Sequence, residues 1–475
     1  MSIENYRESF RPLHSSSVEV AHLHELLGQV YGLSAPLTTP SEHVDFELSD
    51  ENSAPLAEVV EEVGRKVVRY AVNNRHPLAM AHMHPPPSTV SVLGDAVIGA
   101  LNQCAFIWEE APAAALIERE VVRWLCRRVG FGEQATGLLT SGGTMSNLLA
   151  AYLALTRARE HSHVPSDLCV IASDQAHFSL QKAVSLLGLG QGALVRVETD
   201  AQGRLLPGAV REAALRQAGA GRFPFLFVCT AGTTNAGSIE PSEEFVETAA
   251  LFGGWCHVDA AHGGMLCLSP RHRAAAEAWR TADSISWDPH KSMYVSYAVG
   301  ALLLRDRDAD AALEFHSEYA LKDDECLDAG NRHFEGSRRF DALKLWMTIR
   351  HFGTSGYAAL VDHGIDLSRA FALKLSRCND FEVLTDPDTN IVCFRYRRGC
   401  GDEVDNRVNT ETQRSLFRMT GRPLLSSTKV RGSVYLRAVL GNPFLAEKDF
   451  DHVIAAVRDE AGKQAAGLGA NRECP

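Results

Sequence analysis

From "GLLTSGGTMSNLLAAYLAL" to about residue 305 the chain repeats one pattern, a short apolar run followed by a helix-like segment. The runs are "LCVIAS", "FPFLFVCT", "CHVDA" and "SISW", and the segments between them include "EEFVETAALFG". A strand that is apolar throughout is buried on both faces, so the alternation predicts an α/β domain with a mainly parallel sheet covered by helices on each side. Ligands of such sheets sit beyond the carboxyl ends of the strands, so chemistry is expected in the residues that follow each run.

The 475 residues exceed the usual size of one hydrophobic core, which predicts a large domain with smaller ones attached. Residues 1–74 read as an N-terminal helical arm, because "SSSVEVAHLHELLGQVYG" and "APLAEVVEEVGRKVVRYAV" carry apolar residues three and four apart. Residues 75–350 form the expected large domain, opened by the Pro-rich loop "RHPLAMAHMHPPP", which cannot be helical. Residues 351–475 read as a small C-terminal α+β domain in which the amphipathic "GYAALVDHGIDLSRAFALKL" precedes the strand-like "NIVCFRYR" and "SVYLRAVL". No stretch approaches the roughly 20 uninterrupted apolar residues of a membrane span, so no membrane partner is expected. A net charge of −12 argues against a nucleic-acid partner, whose phosphates select clustered Lys and Arg. The 11 cysteines are scattered without a C-x-x-C pair, and "MSIENYRESFRPLHSSS" lacks the basic end and apolar core of a secretory signal. Both features predict a reduced, cytoplasmic protein.

Four strand-end segments carry chemistry. In "TSGGTMSN", Gly142, Gly143 and Thr144 precede a helix whose free N–H groups suit a phosphate, although a plain N-cap at Ser141 or Thr144 would use the same residues. His177 of "SDQAHFSLQKA" follows a strand, where an imidazole can stack on a flat ligand or move a proton, or simply fill space. Asp259 ends the run "CHVDA"; a carboxylate there needs a cation or several donors, or serves as a helix N-cap. Lys291 follows the apolar "SISW" and the turn "DPHK", and a desolvated lysine becomes a nucleophilic amine that forms an imine with a carbonyl. Pyridoxal 5′-phosphate matches all four, with a phosphate, an aromatic face, a pyridine nitrogen and an aldehyde.

At these residues the sequence resembles the group II pyridoxal-phosphate-dependent amino-acid decarboxylases, which include the glutamate, aromatic-amino-acid and 2,4-diaminobutyrate enzymes. The resemblance runs from about residue 75 to about residue 445 and rests on "TSGGTMSN", "SDQAHFSLQKA", "TAGTTNAGSIEP", "HVDAAHGG", "DPHK" and "RRFDALKLW" in the family's order. It implies the aspartate-aminotransferase-like fold type I, with a seven-stranded sheet in the large domain and a homodimer whose active site lies at the interface. It implies that Lys291 is the Schiff-base lysine, that His177 stacks on the ring and that Asp259 pairs with the pyridinium nitrogen beside Ala261. Gly143, Thr144 and His290 would contact phosphate, and Thr234 would support the cofactor. Arg437 would lie near the substrate carboxylate, and Tyr319, in a surface loop, would reach the partner's site as a proton donor alongside His177. The implied reaction is loss of CO2 from an L-α-amino acid through a quinonoid intermediate.

The pattern departs from the family at two places. Asp288 stands where many relatives have Asn, and a carboxylate beside a phosphate is repulsive unless it turns away. His262 stands where many have an aromatic residue. His82, His84, Gln103 and Trp108 are the expected substrate-pocket residues. His82 and His84 form an H-x-H pair, but no neighbouring ligand completes a zinc set, so no metal is expected. Glutamate-like, 2,4-diaminobutyrate-like and other small polar substrates lead, with aromatic amino acids, an aldehyde synthase and an aminotransferase as alternatives on the same fold.

Overall fold

The computed structural model describes residues 18–34, 53–160, 167–314, 332–399 and 401–469. The larger sheet contains β1 (Thr136–Thr140), β2 (Leu168–Ser173), β3 (Leu194–Val197), β4 (Phe223–Thr230), β5 (Trp255–Asp259), β6 (Ser284–Trp287) and β7 (Gly300–Leu304). Its seven strands lie in the order β1-β7-β6-β5-β4-β2-β3. Strands β2 to β6 pair in parallel, and β7 runs antiparallel to both β6 and β1. A parallel return needs a crossover, usually a full helix. The segment between β6 and β7 holds a single helical turn, so the chain comes straight back.

The helices are α1 (Val18–Tyr31), α2 (Leu56–Lys66), α3 (Thr89–Leu101), α4 (Pro112–Val129), α5 (Gly143–Glu160), α6 (Ser179–Leu186), α7 (Ala209–Gly219), α8 (Ser242–Phe252), α9 (Pro289–Ser292), α10 (Ala342–Ser376), α11 (Asp402–Arg418) and α12 (Phe450–Gly469). Alternate strand residues enter opposite cores. Ile171, Phe227, Val258 and Ile285 meet Leu125 of α4, Phe245 of α8 and Leu345 of α10. Val170, Leu226, Val228 and Leu302 meet Leu149 and Leu153 of α5 and Leu180 of α6. This is the two-sided coverage that the apolar runs predicted, and the sheet is mainly parallel.

The C-terminal sheet holds β8 (Phe381–Val383), β9 (Ile391–Tyr396), β10 (Ser426–Val430) and β11 (Ser433–Val439), in the order β10-β11-β9-β8 with antiparallel pairings. Helix α10 joins the two cores: Tyr357, Val361 and Ile365 pack under the large sheet, whereas Phe371 and Leu375 pack with Phe394, Leu436 and Phe450. It breaks at Gly353, whose φ of 59° lies in the left-handed region. The stretch after Pro77 straps onto the C-terminal sheet. Met80 N–H donates to Leu424 O at 2.9 Å and Val439 N–H donates to Met80 O at 2.8 Å. That strap carries His82 and His84 to the large sheet's carboxyl edge.

Packing also explains the glycine pair of "HVDAAHGG". A Cβ on Gly264 would stand 2.5 Å from Trp287 Cγ, and Trp287 is fully buried. Gly264→Ala is therefore expected to lower the unfolding free energy by about 2 kcal/mol, as overpacking does. Urea unfolding measures this, and an unchanged midpoint would contradict the packing account.

Candidate active site

Asp259, the last residue of β5, is buried and receives three donors. Asn147 Nδ2 of α5 reaches Oδ2 at 2.7 Å, while Ser286 Oγ and the Ala261 N–H reach Oδ1 at 3.2 Å each. A buried carboxylate requires such partners. The donors are held in turn: His257 Nε2 lies 3.0 Å from Asn147 Oδ1, and its Nδ1 lies 2.8 Å from Ser284 Oγ, whose hydroxyl donates to it and accepts from Trp255 Nε1 at 2.7 Å. Burial pushes the His257 pKa down to about 4, so the ring is neutral and donates through Nε2. Asn147 is at the fifth position of α5, polar within an apolar run, and its offset from Gly143 is the signal that sequence reading passed over.

The turn after β6 supplies the cation. Lys291 Nζ lies 2.9 Å from Asp288 Oδ2. Asp288 does not turn away from the site. It is 2% exposed, and its Oδ1 has no hydrogen-bond partner. The Val299 N–H donates to His290 Nδ1 at 3.2 Å, leaving Nε2 as the donor atom, 3.6 Å from Asp288 Oδ2. Facing this turn is the start of α5, where the N–H groups of Gly143 and Thr144 have no intrahelical acceptor. Gly143 cannot carry a side chain, since a Cβ would stand 2.9 Å from Ala261 Cβ.

A cavity of about 340 Å³ gathers these groups. Gly142, Gly143, Thr144, Asn147, His177, Thr234, Asp259, Ala261, His290 and Lys291 line it, so every cofactor-binding residue expected from the sequence borders one space. His177 Nδ1 accepts from the Ser179 N–H at 3.2 Å, and burial lowers its pKa against the opposing pull of Asp259. Thr230, also on the wall, has an unpartnered Oγ1, and its N–H donates to Glu240 Oε2 at 2.7 Å. Burial raises Glu240 to about 7.

A smaller cavity of about 10 Å³ adjoins Lys291, between His82, Met83, His84, His262, Asn390 and Asn442. His262 Nε2 lies 2.8 Å from Asn390 Oδ1, while Nδ1 has no partner. Burial pushes His262 down to about 3 and His84 to about 4, so both are neutral near pH 7. The Tyr297 ring, unforeseen in the sequence, stands 4.4 Å from His290 and 4.9 Å from His84. Arg437 borders neither cavity; its Nη1 bonds Ala81 O at 3.1 Å and Ser426 Oγ at 3.2 Å, and its Nε is buried without a partner. Gln103 and Trp108 also border neither cavity. Tyr319 lies outside the described residues. Among the described residues no group of three His, Cys, Asp or Glu is arranged to hold a metal.

An N–H cradle, an imidazole, an unpartnered hydroxyl, a donor-clamped carboxylate and an amine thus border one space whose size suits a small aromatic phosphate ester. A family model described as "Pyridoxal-dependent decarboxylase conserved domain" matches residues 40–397. The chain belongs to this family. The decarboxylase is 34% identical over 435 residues to L-2,4-diaminobutyrate decarboxylase of Rhizobium meliloti (strain 1021), with 91% of this chain and 86% of the relative covered. Its fold matches the glutamate decarboxylase domain of diaminobutyrate-pyruvate transaminase and L-2,4-diaminobutyrate decarboxylase from Vibrio parahaemolyticus. That comparison has a TM-score of 0.86 and 29% identity and covers 98% of this chain and 100% of that one. Oryza sativa TDC with PLP and tryptamine matches with a TM-score of 0.85 and 26% identity, covering 96% of this chain and 99% of that one. The decarboxylase is therefore a fold type I enzyme that uses pyridoxal 5′-phosphate to remove CO2 from an amino acid. Among its described residues no helix is long and apolar enough to cross a membrane.

The neutral state of His262 has a measurable consequence. An unfolded histidine titrates near 6.5, whereas His262 in the fold titrates near 3, so below pH 6.5 the unfolded chain binds the extra proton. His262 should thus remove roughly 2 kcal/mol of stability between pH 6.5 and about pH 5. Urea unfolding of the decarboxylase and of His262→Gln reads the difference, and parallel stability-against-pH curves would contradict it.

Proposed function

We propose that the decarboxylase acts on a short diamino acid of the L-2,4-diaminobutyrate type, releasing the diamine and CO2. The observation that carries this reading is the side pocket at His262. With Asn390 Oδ1 accepting from Nε2–H, the neutral ring presents Nδ1 as an acceptor without a donor. A side-chain ammonium is the donor that fits. A second substrate carboxylate would instead face neutral imidazoles, and an aromatic ring would not fit the small side cavity. The diaminobutyrate relatives support the same reading.

When bound, pyridoxal phosphate supplies an electron-withdrawing ring conjugated to the substrate's α-carbon. Lys291 Nζ would be the amine that holds its aldehyde. Asp259, clamped by Asn147, would keep a proton on the ring nitrogen. The N–H groups of Gly143 and Thr144 and the Nε2–H of His290 would donate to the phosphate, with Thr234 in support, while Gly142, whose N–H donates to Thr140 Oγ1 at 3.3 Å, would shape the turn. His177 and Ala261, which line the cavity, would border the ring. Arg437 reaches the site only through its charge, felt at His82 and His84, which would favour an α-carboxylate on that side, and a carboxylate so held would favour CO2 loss over proton loss. His177 or Tyr319 would be the proton donor to the α-carbon.

We further propose a cytoplasmic homodimer with an arm, a large domain and a small domain divided near residues 74 and 350. Exposed Leu23, Tyr31, Val59, Leu93 and Leu101 on α1 to α3 support a partner surface. Gln103 and Trp108 follow α3 and would extend from that surface toward the partner's cavity.

Assays of CO2 and amine release from L-2,4-diaminobutyrate, glutamate and tryptophan test the substrate. The expected kcat/KM is at least about tenfold higher for diaminobutyrate, and His262→Phe should raise its KM about tenfold, the effect of losing one bond to a charged group. A preference for glutamate or tryptophan would overturn the proposal.

A further inference from the structure

Asp288 occupies the part of the cavity where a negative charge is least compatible with a bound phosphate. A Cβ on Gly143 would meet its Oδ2 at 3.1 Å and its Oδ1 at 3.5 Å, so the carboxylate lies against the first turn of α5, where the free N–H groups stand. The backbone holds it there. Its N–H donates to Ala261 O at 3.1 Å, and its own carbonyl accepts from the Lys291 N–H at 2.9 Å. Lys291 Nζ, 2.9 Å from Oδ2, is its close cation, and Oδ1 has no donor.

Other titratable groups near Asp288 offer little compensation. His290 on α9 is driven toward its neutral form by burial, with Asp288 opposing, and His177, after β2, is likewise neutralised by burial. Tyr297 has its ionisation further suppressed by Asp288. The facing residues Gly143 and Ala261 carry no charge. The cofactor therefore places a phosphate on the Gly143 and Thr144 N–H groups, beside a carboxylate whose Oδ1 has no donor and whose close cation, Lys291, lies on Oδ2. Like charges this close cannot all remain ionised.

We infer that cofactor loading is proton-linked through Asp288: one proton from solvent is taken up and held between the Asp288 carboxyl and the cofactor phosphate. This rests on the cofactor placement proposed above. With the proton, Asp288 becomes a donor to the phosphate rather than a repelling neighbour, and its orphaned oxygen gains a partner. Cofactor retention then weakens as pH rises. Because decarboxylation consumes a proton, turnover without buffering drives the enzyme toward the state that releases its cofactor.

Pyridoxine 5′-phosphate tests the linkage cleanly, since it carries the ring and phosphate but has no aldehyde to react with Lys291. Its binding to the wild-type chain, Asp288→Asn and Asp288→Ser is measured by calorimetry from about pH 6.5 to about pH 8.5, in buffers of different ionisation enthalpy. Uptake of one additional proton makes the wild-type dissociation constant rise up to about tenfold more per pH unit than that of either variant. Asp288→Asn should also bind more tightly at the alkaline end, and the serine variant guards against an effect peculiar to the amide. Equal proton uptake with parallel profiles would overturn the inference while leaving the cofactor site intact. A wild-type chain that binds neither pyridoxine 5′-phosphate nor pyridoxal 5′-phosphate would overturn the placement itself, and this inference with it.

Discussion

The carboxylate buried at the end of β5 sets the terms for the rest of the site. Asp259 is tolerable there because Asn147, Ser286 and the Ala261 amide all donate to it, and Asn147 can do so because His257 and Ser284 hold it from behind. The links come from four elements: α5, β5, β6 and the turn after β5. The chemistry therefore depends on the register of the parallel strands, and a slip of one residue would point Asp259 into the opposite core. The neutral His257 matters because a second buried charge would unbalance the chain of donors.

The other half of the site is set by two tethers. The strap through Met80 is bonded to Val439 at the end of β11 and to Leu424 just before β10, so the C-terminal domain determines where His82 and His84 stand beside Lys291. The fully buried Lys344 fastens the segment beyond α9. Its Nζ lies 2.9 Å from Asp341, 3.3 Å from Asp95 and 3.1 Å from the Tyr297 carbonyl. A buried ion pair is seldom a net source of stability, and its value here is geometric. It holds the backbone that brings Tyr297 against His290 and His84.

Much of the fold was legible because burial on both faces leaves unbroken apolar runs such as "LCVIAS" and "SISW", and strand ends then mark the site. Lys291, Asp259, His177 and Gly143 could be named because each is chemically conspicuous beside such a run. Asn147 and Ser286 were missed because an amide or hydroxyl on a buried face becomes meaningful only when its partner is known. The direction of Asp288 was equally hidden, since a one-turn helix decides it. The antiparallel β7 followed from a short connection that sequence reading did not weigh. Arg437, Gln103 and Trp108 stand away from both cavities for a related reason: a linear pattern says which residues are polar and near, but not which way a strap or helix end faces.

The central claim is that Lys291 and Asp259 bracket a single pyridoxal ring. Borohydride reduction of the cofactor-loaded enzyme, followed by proteolysis and mass spectrometry, tests it most directly. The account predicts a reduced pyridoxyl group on the peptide containing Lys291, with its ring absorbance shifted in Asp259→Asn as the nitrogen loses its proton. Label on a different lysine, or a spectrum indifferent to the loss of the Asp259 charge, would contradict it.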